Sequence, residues 1–194
     1  MTQADQKRWE EKWSKAQGRV TSPHSLLEQS REFLSGGYAL DLACGLGQNA
    51  IWLAERGYRV LGVDISTVAL DAARAEARRQ SVLERVYFQQ VDLDDWRVPE
   101  GSFDLICVFR FLDRRLFPAI HTGLRSGGIL YYSTRHVGFL QRNPESCMAY
   151  LLKRDELLEI FGEWHILHYR EGPEEAELIA RKYQTQTQSS QALT

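Results

Sequence analysis

The sequence is short of the features that mark several protein classes. Its three cysteines, Cys44, Cys107 and Cys147, are odd in number, stand far apart and include no C-x-x-C pair. That argues against a disulfide framework or a zinc site and suits a reducing cytoplasm. Long apolar runs are missing too: stretches such as 104–109 and 128–132 fall far below the roughly 20 residues that span a bilayer. Neither sign of charge dominates, with 24 basic residues against 26 acidic and a net charge of −2, so nothing points to a nucleic-acid or membrane surface. Residues 1–15 are polar, with no apolar signal core. What remains is 194 residues, 43% hydrophobic and 26% charged, the composition of one globular domain with room for a core. The expectation is a single cytoplasmic domain over residues 1–182. The tail 183–194, poor in apolar residues, is expected to be disordered.

Trp9 and Trp13 stand at i, i+4 in a charged segment, which places both on one helix face. A helical pattern follows through Leu26, Leu27 and Phe33–Leu34, broken at Gly36–Gly37. Residues 1–35 thus read as a helical segment that covers a site like a lid. From there strand and helix patterns alternate. Strands are expected at Tyr38–Ala43, Arg59–Asp64, Val86–Asp92, Phe103–Phe109 and Ile129–Thr134. Helices are expected at Gln48–Arg56, Val68–Gln80, Asp113–Leu124 and Lys153–Phe161, with a turn at Ser126–Gly128. Ala69, Ala72, Ala73 and Ala77 form a small-residue face that lets a helix lie close on a sheet. Trp164–Arg170 and Glu177–Lys182 read as two closing strands joined by a hairpin. Such alternation predicts a doubly wound, Rossmann-like α/β fold: a seven-stranded, mostly parallel sheet with helices on both faces. Right-handed crossovers then gather the carboxyl ends of the parallel strands on one ligand-binding edge. Asp41, Asp64 and Asp92 lie near or at three of those ends.

The stretch "LDLACGLGQNA" at 40–50 joins a strand to a helix through Gly45-x-Gly47-x-x-Ala50, and Asp64 follows Gly45 by 19 positions. Both features match a dinucleotide fingerprint. Asp41 does not: a pyrophosphate repels a nearby carboxylate, and dinucleotide enzymes usually carry an apolar residue there. An acid beside the turn suits a ligand with an ammonium group and no phosphate, which describes S-adenosylmethionine. Asp64 then accepts the ribose hydroxyls and Asp92 the adenine amine, with Asp94 and Asp95 as close rivals.

These motifs resemble those of the class I S-adenosylmethionine-dependent methyltransferases. "LDLACGLG" is similar to their acid-x-Gly-x-Gly-x-Gly motif, "VLGVDIS" to the ribose-acid motif and "QQVDLDDW" to the adenine-side segment. "GSFDLICVFRFL" and "LRSGGILYYST" resemble the fourth and fifth strands. The likeness covers about residues 30–182 and is nearest to the small bacterial branch that includes tellurite-resistance methyltransferases. It implies an antiparallel last strand, a bound S-adenosyl-L-methionine leaving as S-adenosyl-L-homocysteine, and a cofactor set of Asp41, Ala43, Gly45, Gly47, Asp64, Ile65, Asp92, Leu93 and Phe109. Two departures stand out. Ala43 replaces the first glycine, and Ser133-Thr134 stands where relatives often carry Glu-Thr, which leaves an acid role at that site unsupported.

Methyl transfer from a sulfonium needs positioning and desolvation more than acid–base chemistry, so no catalytic residue is legible. Candidates on the acceptor side are Arg110, after the fourth strand, for an anionic acceptor, and Arg135 and His136, after the fifth, with His136 as a base. His24 is a candidate cover for the cleft, whereas His165 and His168 read as structural. Cys44 and Cys107 read as buried fillers. The expected function is methyl transfer to a small molecule, such as a chalcogen, thiol or other anionic acceptor. The rival readings are a non-catalytic S-adenosylmethionine-binding protein and an NAD-dependent dehydrogenase. Oligomeric state is not legible.

Overall fold

The computed structural model describes residues 3–16 and 22–183. Apart from Tyr183, the tail expected to be disordered lies outside them. Seven strands form one sheet in the order β3-β2-β1-β4-β5-β7-β6: β1 Tyr38–Leu42, β2 Arg59–Asp64, β3 Val86–Gln90, β4 Phe103–Phe109, β5 Leu124–Arg135, β6 His165–Glu171 and β7 Glu175–Arg181. The first five run parallel, and β7 inserts antiparallel between β5 and β6. This is the expected doubly wound arrangement. None of the described helices is long and apolar enough to cross a membrane.

Alternate residues of each strand feed two separate cores. On one face Ala39, Val60, Leu105, Ile129 and Tyr131 pack with α2 Ser25–Gln29, α3 Gln48–Glu55 and α4 Thr67–Arg79. On the other Leu40, Val63, Ile106, Leu130 and Tyr132 pack with α5 Phe117–Gly123 and α6 Glu156–Phe161. Burial on both faces is why β4 reads as a continuous apolar run. Ser66 caps α4, its hydroxyl accepting the Ala69 N–H at 3.2 Å. Ala69, Ala73 and Ala77 are fully buried on that helix, as the small-residue pattern predicts.

Several boundaries differ from the sequence expectation, each for a local reason. The strand β3 stops at Gln90; two residues on, the Asp92 carboxylate accepts the Asp94 N–H at 2.9 Å and starts a turn. Asp92 therefore sits beyond the strand rather than at its end. The turn expected at Ser126–Gly128 is woven into β5, because Gly127 N–H donates to Lys182 O and Lys182 N–H to Gly128 O, each at 2.9 Å. Helix α6 begins at Glu156, not Lys153, since Asp155 takes a left-handed conformation (φ 56°) just before it. The helix expected through Leu34 breaks at Ser30 (φ −121°) and resumes as a 3-10 turn over Arg31–Phe33.

The N-terminal segment divides into two parts. Helix α1, Gln3–Ala16, lies against α4. By contrast α2 is built into the body: Leu27 is 0% exposed, and the buried Tyr131 hydroxyl donates to Ser30 O at 2.8 Å. Truncating a core leucine costs about 2–5 kcal/mol. Leu27→Ala is expected to lower the urea midpoint by that much stability without altering the slope. A loss below about 1 kcal/mol would show α2 to be peripheral.

Candidate functional site

At the carboxyl edge of the parallel strands lies a cavity of about 750 Å³, within the range of small-molecule sites. Its floor is the turn after β1. Three residues there take left-handed backbone: Ala43 (φ 56°), Gly45 (φ 53°) and Gly47 (φ 73°). The two glycines adopt this without strain; Ala43 bears a cost of about 1–2 kcal/mol. Gly45 also has no room for a side chain, since a methyl there would lie 2.9 Å from the Trp13 ring.

The Asp64 carboxylate organises this floor. It is 7% exposed, and its two oxygens accept the Gly45 N–H at 2.8 Å and the Ser66 N–H at 2.9 Å. Burial raises its pKa, against which the Ser66 and Gly45 N–H groups act. Those two bonds leave further lone pairs for a ligand. Asp41 lies one layer beneath, 1% exposed and outside the cavity lining. Cys107 Sγ donates to one of its oxygens at 3.3 Å, and the other has no hydrogen-bond partner. Burial pushes its pKa up to about 7, only partly offset by the Cys107 thiol and by the Ala50 N–H, which faces the carboxylate without completing a well-formed bond to its second oxygen.

Helix α1 forms the roof. Trp9, Lys12 and Trp13 line the cavity, the two indoles stacked at 6.2 Å. Its tether is Glu10, which sequence reading missed. The Glu10 carboxylate accepts the Ser66 hydroxyl at 3.0 Å, the Thr67 N–H at 2.9 Å, the Thr67 hydroxyl at 3.0 Å and the Val68 N–H at 3.2 Å. The Thr67 and Val68 N–H groups are orphan donors of the first turn of α4, where a carboxylate also meets the positive end of the helix dipole. Burial pushes the Glu10 carboxyl up, and the bonds from Thr67, Ser66 and Val68 more than reverse it, so its pKa ends below the usual range.

The structure brings Ala43, Gly45, Asp64, Ile65, Leu93, Phe109 and Arg110 together in the cavity wall, with His24. Gly47 stands behind the wall as the N-cap of α3. Asp92 does not line the cavity; one of its oxygens accepts the Asp94 N–H in the turn that follows β3. Asp94 pairs with Arg115 at 2.6 Å. His136 is not placed as a base: it is 0% exposed, its Nδ1 accepts the Gly138 N–H at 3.0 Å, and Nε2 lies 2.9 Å from Gly172 O. Those bonds make it a structural lock on the loop. Arg135 lies outside the lining, over the Phe139 ring at 3.8 Å.

His24 is turned into the cavity wall and stacks on Phe109 with centroids 4.4 Å apart. Its Nδ1 accepts the Leu26 N–H at 3.2 Å, which assigns the proton of the neutral ring to Nε2. Burial first, and then the Arg110 charge, lower its pKa. His24 is therefore a hydrogen-bond donor, not a proton acceptor. Sequence reading also missed Arg170, Glu175 and Glu177 in the far wall. The signal for the two glutamates was the antiparallel closing strand, since β7 starts, rather than ends, at the ligand edge, whereas Arg170 lies near the end of β6.

Residues 39–128 match the family described as "Methyltransferase domain". A ubiquinone biosynthesis O-methyltransferase from Alkalilimnicola ehrlichii is 32% identical over 133 residues, 66% of this chain and 51% of that protein. The chain spans about half the length of the curated relatives it matches. Among solved structures, TehB from Haemophilus influenzae superposes with a TM-score of 0.74 at 18% identity, covering 90% of this chain and 67% of that one. An S-adenosylmethionine dependent methyltransferase from Mesorhizobium loti gives 0.65 at 22% identity, covering 78% and 95%. These two are likenesses of fold.

The raised pKa of Asp41 has a consequence for stability. Between the unfolded value near 3.8 and the folded value of about 7, the unfolded chain has released a proton that the native chain retains. Asp41 thus contributes stability at low pH that is lost as pH rises through that window. Asp41→Asn keeps the shape without the titration. Without ligand, urea denaturation is expected to show the variant gaining on the parent from pH 4 to 7 by about 1–4 kcal/mol, then running parallel. A constant gap would show that Asp41 does not titrate in that window.

Proposed function

We propose that the chain, whose residues 39–128 match a methyltransferase-domain family and whose fold is that of S-adenosylmethionine-dependent methyltransferases, transfers a methyl group from S-adenosylmethionine to a small-molecule acceptor. The observation that carries this reading is the cavity floor: a left-handed turn of Ala43, Gly45 and Gly47 between the Asp64 carboxylate and the orphan oxygen of Asp41. That donor set fits a cation. A buried carboxylate directly beneath the turn opposes a pyrophosphate and favours an ammonium, so NAD is the poorer match.

When bound, S-adenosylmethionine supplies a methyl group on a sulfonium, already activated for in-line displacement. The chain's residues hold, orient and shield it. A cationic ammonium beside the turn would draw Asp41, whose pKa burial raises to about 7, to its charged form, and the acid would then supply negative potential beneath the amino-acid end. Asp64, fixed by the Gly45 and Ser66 N–H groups, offers its remaining lone pairs to a ribose diol. Ile65 and Leu93 give apolar walls on either side of that acid, and Phe109 closes the inner end. Helix α1, held down by Glu10, brings Trp9 and Trp13 over the opening and keeps water out. Catalysis on this reading comes from positioning and desolvation. The buried free thiols of Cys44 and Cys107 fit a reducing compartment, so the cytoplasm is the proposed location.

Calorimetric titration with S-adenosylhomocysteine and, separately, NAD tests the reading. The first is expected to bind at micromolar Kd and the second not. Asp64→Ala is expected to weaken S-adenosylhomocysteine by at least tenfold while circular dichroism stays native. Binding of NAD alone, or of neither, would overturn the assignment. Binding without methyl transfer to any acceptor would favour a non-catalytic cofactor-binding protein.

A further inference from the structure

Two charged side chains in the cavity wall make no side-chain hydrogen bond or close ion pair among the described residues. Three carboxylates line the cavity. Asp64 is held by backbone N–H groups, and Glu177 by Arg170 at 2.9 Å. Glu175 meets no donor among the described residues. The cations divide in the same way. Arg170 is spent on Glu177, and Lys12 lies over the Trp9 and Trp13 rings at 4.1 and 4.9 Å. Arg110, exposed and lining the cavity, meets no carboxylate among the described residues.

The backbone sets both groups in place. Arg110 directly follows β4 with φ 55°, and its N–H donates to Ser133 O at 2.7 Å. A left-handed non-glycine residue costs about 1–2 kcal/mol, and such strain persists where the surrounding structure holds it. Glu175 opens β7 opposite Arg135, and Glu177 lies opposite Ser133. The registry thus sets Glu175 on the β5–β7 side of the cavity and Arg110 on the β4 side. Phe109, Phe111 and the Nε2–H of His24 lie in the same wall.

Within this balanced lining the cations gather around Lys12. Burial, followed by Arg135 and then Arg110 and Arg8, weakens the hold of Lys12 on its proton, against the pull of Asp64. A neutral acceptor would leave this crowding unrelieved, whereas an anion answers it. An anion alone would leave Glu175 without a partner; a hydroxyl or amine on the same molecule supplies one.

We infer that the acceptor is an organic acid carrying its own protic nucleophile, with Arg110 holding the anionic group and Glu175 bonded to the nucleophile's O–H or N–H. This rests on the methyltransferase reading above. In the transfer step the nucleophile's lone pair forms the new bond to the methyl carbon. The carbon–sulfur bond breaks with its electron pair left on sulfur, which becomes a neutral thioether. Glu175 takes the proton released by the nucleophile.

The test is calorimetry on protein saturated with S-adenosylhomocysteine, titrated with a panel of hydroxybenzoates, aminobenzoates and short hydroxyalkanoates, each beside its neutral amide. The tightest acids are expected to bind at least tenfold better than their amides. Arg110→Gln is expected to erase that preference while leaving S-adenosylhomocysteine affinity within twofold. With the best acid as substrate, Glu175→Gln is expected to keep KM within a few-fold and lower kcat about 100-fold, read as S-adenosylhomocysteine release. Equal binding of acids and amides, or binding of none, sinks the inference while cofactor binding stands. Loss of S-adenosylhomocysteine affinity in Arg110→Gln would assign that cation to the cofactor and overturn it too. Failure of the unmodified protein to bind S-adenosylhomocysteine is a different result and falls on the underlying reading.

Discussion

One carboxylate holds the site together. Asp64, at the end of β2, accepts N–H groups from the turn after β1 and from the start of α4. It thereby fixes the left-handed turn to the neighbouring strand and the next helix at once. Charge-assisted bonds of this kind are stronger than neutral ones, and here they act where water is largely excluded. Glu10 repeats the principle from above, closing the first turn of the same helix with a carboxylate from another segment. The cavity's floor and roof are therefore both tied to α4. Its alanine face lies flush against the sheet, which keeps that reference point rigid.

Charge is layered by depth. Asp41 lies deepest, poor in donors and held toward its neutral form by burial. Asp64 forms the middle layer with its oxygens partly satisfied. Arg110 and Lys12 line the cavity, with Arg135 beyond its wall. A ligand that is cationic at one end and meets an anionic partner at the other would match this gradient along its length, and one of uniform charge would oppose part of it.

Most of the fold was legible because buried parallel strands and amphipathic helices write distinct periods into a sequence. The glycine turn and Asp64 were readable for the same reason: each follows a strand whose end is marked. Asp92 was expected to end β3 because "QQVDL" continues the apolar pattern past the point where backbone pairing stops at Gln90. His136 looked free in sequence, yet both ring nitrogens are taken by backbone groups at positions 138 and 172. No local pattern reveals such a long-range partner. Glu175 and Glu177 are not legible in this way, because parallel strands mark the ligand edge by their ends whereas the antiparallel β7 presents its beginning there. Glu10 was hidden in a charged helix where any of several acids would look alike.

The indoles of α1 give the molecule an unlabelled optical signal. Of five tryptophans, Trp52 and Trp164 are locked in the two cores and Trp96 packs beside one of them, while Trp9 and Trp13 face the cavity. The Trp13 Nε1–H is buried without an acceptor, so a ligand oxygen arriving there would change both its hydrogen bonding and its emission. Cavity occupancy and the seating of α1 thus report through the same two rings. Time-resolved fluorescence on the unmodified chain can separate them, by wavelength for the one and by anisotropy for the other.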